Sequence, residues 1–209
     1  GVGAAVGGWG GGGGEGVLEA CVAVALVSAT AIGREQLVRL EAARPLARVA
    51  VGNRRDTVLV QWAMLGLGSL TLLTQVRCDL LAVEEEASEL IKGLADAITS
   101  VNEGCCCYGC LVVGNLAVDS RWRVMLAADS SIIKGLGSML RSNSERVQRH
   151  CVGAVRNLAV DDNAKRLFTN DRSVHAMLKS FLDSEDSITA RHARHAIENL
   201  QSSQLLVEN

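Results

Sequence analysis

Four of the seven cysteines crowd into one short segment, Cys105-Cys106-Cys107-Tyr108-Gly109-Cys110. Cys107 and Cys110 make a Cys-x-x-Cys pair, a spacing that suits a metal ion or a redox couple. Zinc takes four ligands, usually from two such pairs. The chain has no second pair, and its histidines stand at position 150 and beyond. The thiols are therefore read as small apolar packing groups on a helix. His192 and His195 share a helical face, but Glu198 is the only carboxylate near them, too little for a metal site. The glycine run at 8–14 has no Lys-Ser/Thr after it and no strand before it, so it is no phosphate-cradling loop. Gly-x-Ser-x-Gly and His-Glu-x-x-His stretches are missing. Glu84-Glu85-Glu86, with Glu89, reads as an acidic first helical turn favoured by the helix dipole. No catalytic residue, no cofactor and no metal are expected.

The chemistry that remains is amide hydrogen bonding, and it is periodic. Gly114-Asn115-Leu116-Ala117-Val118-Asp119 returns as Arg156-Asn157-Leu158-Ala159-Val160-Asp161, and Glu198-Asn199-Leu200 closes a third copy. Asn115, Asn157 and Asn199 thus stand 42 residues apart, and Ile91-Lys92-Gly93-Leu94 recurs at the same step as Ile133-Lys134-Gly135-Leu136. A fixed period of roughly 20 to 50 residues marks a solenoid, whose units bury their apolar faces against one another.

The elements that position these residues are short helices. Residues 120–128 predict one helix, 132–140 a second with an N-cap from Asp129-Ser130-Ser131, and 145–159 a third. Val147, Cys151, Ala154, Val155 and Leu158 space that third helix by three and four residues. The next unit repeats the layout at 163–168, 173–182 and 188–200. Upstream, Ser69-Leu70-Thr71 and Ser28-Ala29-Thr30 hold the place of the asparagine phrase. The expected organisation is a flexible glycine-rich leader at 1–16 and a repeat domain at 17–203. That domain divides into a partial unit at 17–32 and full units at 33–73, 74–118, 119–160 and 161–203. Residues 204–209 are a tail or the start of a truncated repeat. The apolar stretch Val17 to Ile32 is too short for a bilayer crossing of ~20 residues and contains Glu19; it predicts a buried helix at the start of the solenoid. Trp62 and Trp122 are read as packing between units.

Three helices per unit, a 42-residue period and third helices ending in Asn-Leu-Ala resemble the armadillo repeat, most closely in Gly153-Ala154-Val155-Arg156-Asn157-Leu158-Ala159. The resemblance covers about 86 to 200 strongly and 17 to 85 diffusely. HEAT repeats, with two helices per unit, fit less well. It implies an all-α, right-handed armadillo-type superhelix of about four three-helix repeats plus a partial first unit. Asp129 and Asp171 replace the glycine usual between first and second helices, and Pro45 is the only proline. In armadillo proteins the third helices line a groove whose asparagines bond the backbone of an extended peptide, a role this resemblance gives to Asn115, Asn157 and Asn199. Importin-alpha-like members place tryptophan one turn earlier, where this chain has Leu111, Gly153 and His195; that departure argues against a nuclear-import cargo receptor.

Residues seven and eight before each asparagine share its helical face. They are Tyr108, His150 and His192 in one column, and Cys107, Arg149 and Arg191 in the next. With His195, the later units carry a basic stripe in a chain of net charge −2 and pI near 6.1. The partner expected there is a protein segment with acidic or phosphorylated side chains; the overall charge favours no nucleic acid. Three histidines in one groove would make binding sensitive to pH. Seven unpatterned cysteines predict a reducing, intracellular compartment, cytoplasmic rather than nuclear. The chain begins without methionine, so it is expected to be a piece of a longer protein. An interaction scaffold is the function expected; a regulatory or substrate-recruiting domain of a larger ubiquitin ligase or kinase is the alternative.

Overall fold

The computed structural model describes residues 14–202, which are helical throughout: thirteen α-helices and one 3-10 turn. The chain forms two compact units, Gly1–Tyr108 and Gly109–Asn209.

The first unit contains α1 (Gly14–Ser28), α2 (Ala31–Arg39), α3 (Ala43–Gly52), α4 (Thr57–Leu70), α5 (Thr74–Leu81), α6 (Glu84–Ile98) and the first part of α7 (Glu103–Leu116). Helix α4 packs along both α1 and α3, and α3 also meets α6. The face of α4 that does this carries Ala63, Met64, Leu67 and Leu70, all out of solvent; burying each large side chain stabilises by about 1.5–3 kcal/mol. The apolar stretch read as one helix divides at Ala29-Thr30. Thr30 turns extended and its hydroxyl caps α2 by accepting from the Gly33 amide. A side chain at Gly33 would lie 1.9 Å from the Val27 carbonyl oxygen, so this turn closes only around glycine. Burial in α1 is also narrower than expected: Cys21 and Ala25 are buried, while Leu26, Val27 and, at the start of α2, Ile32 are exposed. The leader expected at 1–16 lies outside the described residues up to residue 13; its last three residues open α1. The tail at 204–209 also lies outside them.

The second unit contains the rest of α7, then α8 (Ser120–Ala128), α9 (Ser130–Met139), α10 (Glu145–Leu158), α11 (Asp162–Asn170), α12 (Arg172–Ser180), a 3-10 turn (Phe181–Asp183) and α13 (Ser187–Gln201). Its core is Trp122, Leu126, Ile132, Leu136, Leu158, Phe168 and Leu178, each at most 1% exposed. Trp122 is fully buried. The aspartates that replace glycine act as helix boundaries. Asp129 ends α8 and caps α9 by accepting from the Ser131 and Ile132 amides. Asp171 does the same between α11 and α12 through the Ser173 amide. A carboxylate at that point satisfies amides the first turn leaves without partners and complements the helix dipole. α10 and α13 take Ser144 and Asp186 as caps.

One recurrent contact was hidden in the sequence. An arginine folds back onto a carbonyl six residues before it, at or just past the end of the preceding helix: Arg34 on Ser28 and also Ala29, Arg77 on Thr71 and also Leu72, Arg123 on Ala117. These oxygens have no donor within their helix, and a cation there suits the negative end of the dipole. No single helix among the described residues is long and apolar enough to cross a membrane.

Candidate functional site

In the second unit the asparagines join neighbouring third helices. Asn157 Nδ2 on α10 donates to the Gly114 carbonyl of α7 at 2.8 Å, and Asn199 Nδ2 on α13 donates to the Arg156 carbonyl of α10 at 3.0 Å. Both acceptors lie in the final turn of their helix, where carbonyls lack intrahelical donors. The helices approach closely because their facing residues are small. A Cβ at Gly114 would stand 3.4 Å from the Ala154 backbone. Each asparagine is half-buried, so the amide bridges two helices and keeps an edge toward solvent. Asn115 sits half-buried on α7.

The basic residues gather around His192. Its ring lies over Gly153, where a Cβ would come within 3.2 Å of Nδ1, and Nδ1 is buried without a hydrogen-bond partner. Burial lowers its pKa to about 4, helped by the positive charges of Arg156, Arg191, His195 and Arg149. His150 is lowered as well, by burial first and then by Arg149 and Arg146. Arg149 faces one carboxylate, Asp186, at 3.6 Å. Among the described residues neither Arg156 nor Arg191 has a carboxylate partner. Arg191 and His195 are exposed and Arg149, His150 and His192 half-buried. The three arginines concentrate positive charge, with Asp186 the one carboxylate paired to them among the described residues.

Sequence reading missed Arg156, which directs Nε and a terminal nitrogen onto Asn157 Oδ1 at 2.9 and 2.8 Å. It stands directly before the asparagine, about 100° around the helix from it, and only its length returns it to that face. In the first unit Tyr108 is half-buried on α7, and α4 presents Gln61, Trp62, Leu65 and Ser69 at intermediate exposure. Trp62 precedes Tyr108 by the same 46 residues that separate Ser69 from Asn115. That offset was the signal that it belongs to the same column of the repeat, in addition to any packing role.

The thiols serve packing. No disulfide joins any of the seven cysteines. Cys105 donates to the Thr57 carbonyl, Cys106 to that of Ser100 and Cys151 to that of Leu136. A hydrogen bond with Cys151, together with burial, pushes the Cys110 thiol well above its ordinary value. Cys105 rises to about 11, chiefly by burial. Raised, buried thiols are poor nucleophiles. Among the described residues no group of three or more His, Cys, Asp or Glu side chains could hold a metal ion.

Residues 124–160 match the family model of the Armadillo/beta-catenin-like repeat. Solved structures of the same architecture include a designed armadillo repeat protein in complex with the peptide (KR)4. It has a TM-score of 0.74 at 15% identity, over 95% of this chain and 80% of that one. Computationally designed armadillo repeat proteins for modular peptide recognition match with a TM-score of 0.68 at 16% identity, over 93% and 78%. A structure from work on a phosphorylation switch between cadherin and beta-catenin matches with 0.67 at 16%, over 81% of this chain and 37% of that one. No curated protein matches the sequence. The fold is therefore the armadillo-repeat solenoid. Within that fold, the α8–α10 region carries the one stretch that the family model recognises.

Proposed function

We propose that this chain is a protein–protein interaction scaffold that holds an extended segment of another protein against its third helices. The residues that would hold it are Asn115, Asn157, Asn199, Tyr108, Arg149, His150, Arg191, His192 and His195, with Arg156 added. The role is binding, and no step of catalysis is assigned. The observation that carries this reading is the cluster of Arg149, Arg156 and Arg191 around the neutral ring of His192, in which Asp186 is the one carboxylate paired with an arginine among the described residues. Packing alone gives no reason to gather positive charge on half-buried helix faces, since like charges repel and burial disfavours each. A ligand that brings negative charge relieves both costs.

Structural relatives support the mode of binding and sharpen its sign. The designed relative was solved with (KR)4, a cationic peptide; the face described here is cationic and calls for an acidic or phosphorylated segment instead. A chain of net charge −2 attracts such a segment locally at this face, not globally. The cysteine pattern of the sequence supports a reducing intracellular compartment, and we propose the cytoplasm.

Selection from a displayed peptide library, followed by affinity measurement on wild type and the Arg149→Glu/Arg191→Glu double variant, tests the reading. Enrichment of Asp- and Glu-rich peptides, with affinity at least about tenfold lower in the double variant, is the expected result. Equal affinity for both proteins would overturn it.

A further inference from the structure

The amide of Asn157 is fully engaged on one side. Its Nδ2 donates to the Gly114 carbonyl, and its Oδ1 receives two donors from the Arg156 guanidinium at 2.9 and 2.8 Å. A carbonyl oxygen has two lone pairs, so this acceptor is filled, and Asn157 retains one N–H and no acceptor for a bound peptide. Arg156 rests on a neutral amide, beside the like charge of Arg191 and without a carboxylate partner among the described residues. A carboxylate offers a guanidinium an opposite charge and a bidentate fork of two parallel bonds, neither of which a single amide oxygen supplies.

We propose that Arg156 is a specificity-determining latch on Asn157. A carboxylate side chain of the bound segment draws the guanidinium off Oδ1 into a paired contact, and the freed oxygen accepts a main-chain N–H of the same segment. Acidic segments therefore gain two interactions at once, while a neutral segment meets a closed acceptor. This rests on the peptide-binding reading above and adds to it a rule of selection: charge is read first and backbone second. Arg191, exposed on α13 and opposing the charge of Arg156, adds to the attraction for that carboxylate.

Two fluorescein-labelled peptides, (Glu-Ser)4 and (Gln-Ser)4, distinguish the cases when titrated by anisotropy against the full chain as wild type, Arg156→Ala and Arg156→Lys. Wild type is expected to prefer the Glu peptide by at least about tenfold. In Arg156→Ala the Glu peptide should weaken by at least about tenfold while the Gln peptide tightens by about threefold, because Oδ1 is open. Arg156→Lys keeps the charge and loses the planar two-donor grip; the Gln peptide should tighten there too, with most Glu affinity retained. If the Glu peptide weakens in Arg156→Ala but the Gln peptide does not tighten, Arg156 is a plain charge contact and the latch is overturned. If neither peptide binds wild type, the peptide-binding reading fails first. As a readout independent of variant folding, the Asn157 side-chain amide resonances of wild type should shift on adding the Glu peptide; static resonances at saturation would also overturn the latch.

Discussion

Asn157 Nδ2 lies 2.8 Å from the Gly114 carbonyl, one third helix away, and Asn199 makes the same bond to Arg156 at 3.0 Å. The residue that recurs at the last two steps thus joins consecutive helices of the second unit. Its period serves the stack whatever binds there.

Replacing Asn157 with alanine leaves the Gly114 carbonyl without that donor. The expected loss is about 1 kcal/mol, or roughly 2–4 °C in melting temperature for a domain of this size. Asn199→Ala should behave alike. Asn143, exposed in the turn before α10, is the control and should melt as wild type when changed to alanine. Calorimetry of the three variants checks this; equal melting of all four proteins would show that the inter-helix bonds add nothing.

Two glycines should respond oppositely to alanine. At Gly33 the new Cβ would fall 1.9 Å from the Val27 carbonyl oxygen, a backbone atom that cannot yield without moving the α1–α2 turn; a loss of about 2 kcal/mol or more follows. At Gly153 the nearest atom is His192 Nδ1 at 3.2 Å, the end of a half-exposed ring. There the helix propensity of alanine, worth about 1 kcal/mol over glycine, offsets a small ring displacement. Urea unfolding should find Gly33→Ala clearly destabilised, and Gly153→Ala equal to wild type or slightly more stable.

The pH dependence has a definite sign. His192 has its folded pKa lowered to about 4 from an ordinary 6.5, so between those values the unfolded chain binds more protons than the folded one. Stability is then unaffected above the upper value and falls as pH drops from about 6.5 toward about 4. His150 is shifted in the same direction. Wild type should lose stability between roughly pH 7 and pH 5, and His192→Asn should lose less over the same interval. Identical losses would mean that His192 titrates as if in water.

The 42-residue step was legible because every third helix must repeat its small and apolar residues to stack. The cap at Asp129 was legible because a short polar side chain before an apolar run has one common use; Ser144 and Asp171 were read only as a turn and a break. The returning arginines at 34, 77 and 123 were not. In a linear reading each is a surface cation of a first helix, and only the fold brings the preceding carbonyls beneath it. Val17 to Ile32 reads as one helix because Ala29 and Thr30 do not break an apolar pattern; the break comes from the packing of Gly33 on Val27. Arg156 escaped notice because helical periodicity assigns it to another face.

The most direct measurement is amide hydrogen exchange along the chain, with and without a saturating acidic peptide obtained by selection. Slowed exchange concentrated in α10 and α13, with α9 and α12 unchanged, is the predicted pattern. Protection centred on α9 and α12, or none at saturation, would contradict binding on the third helices.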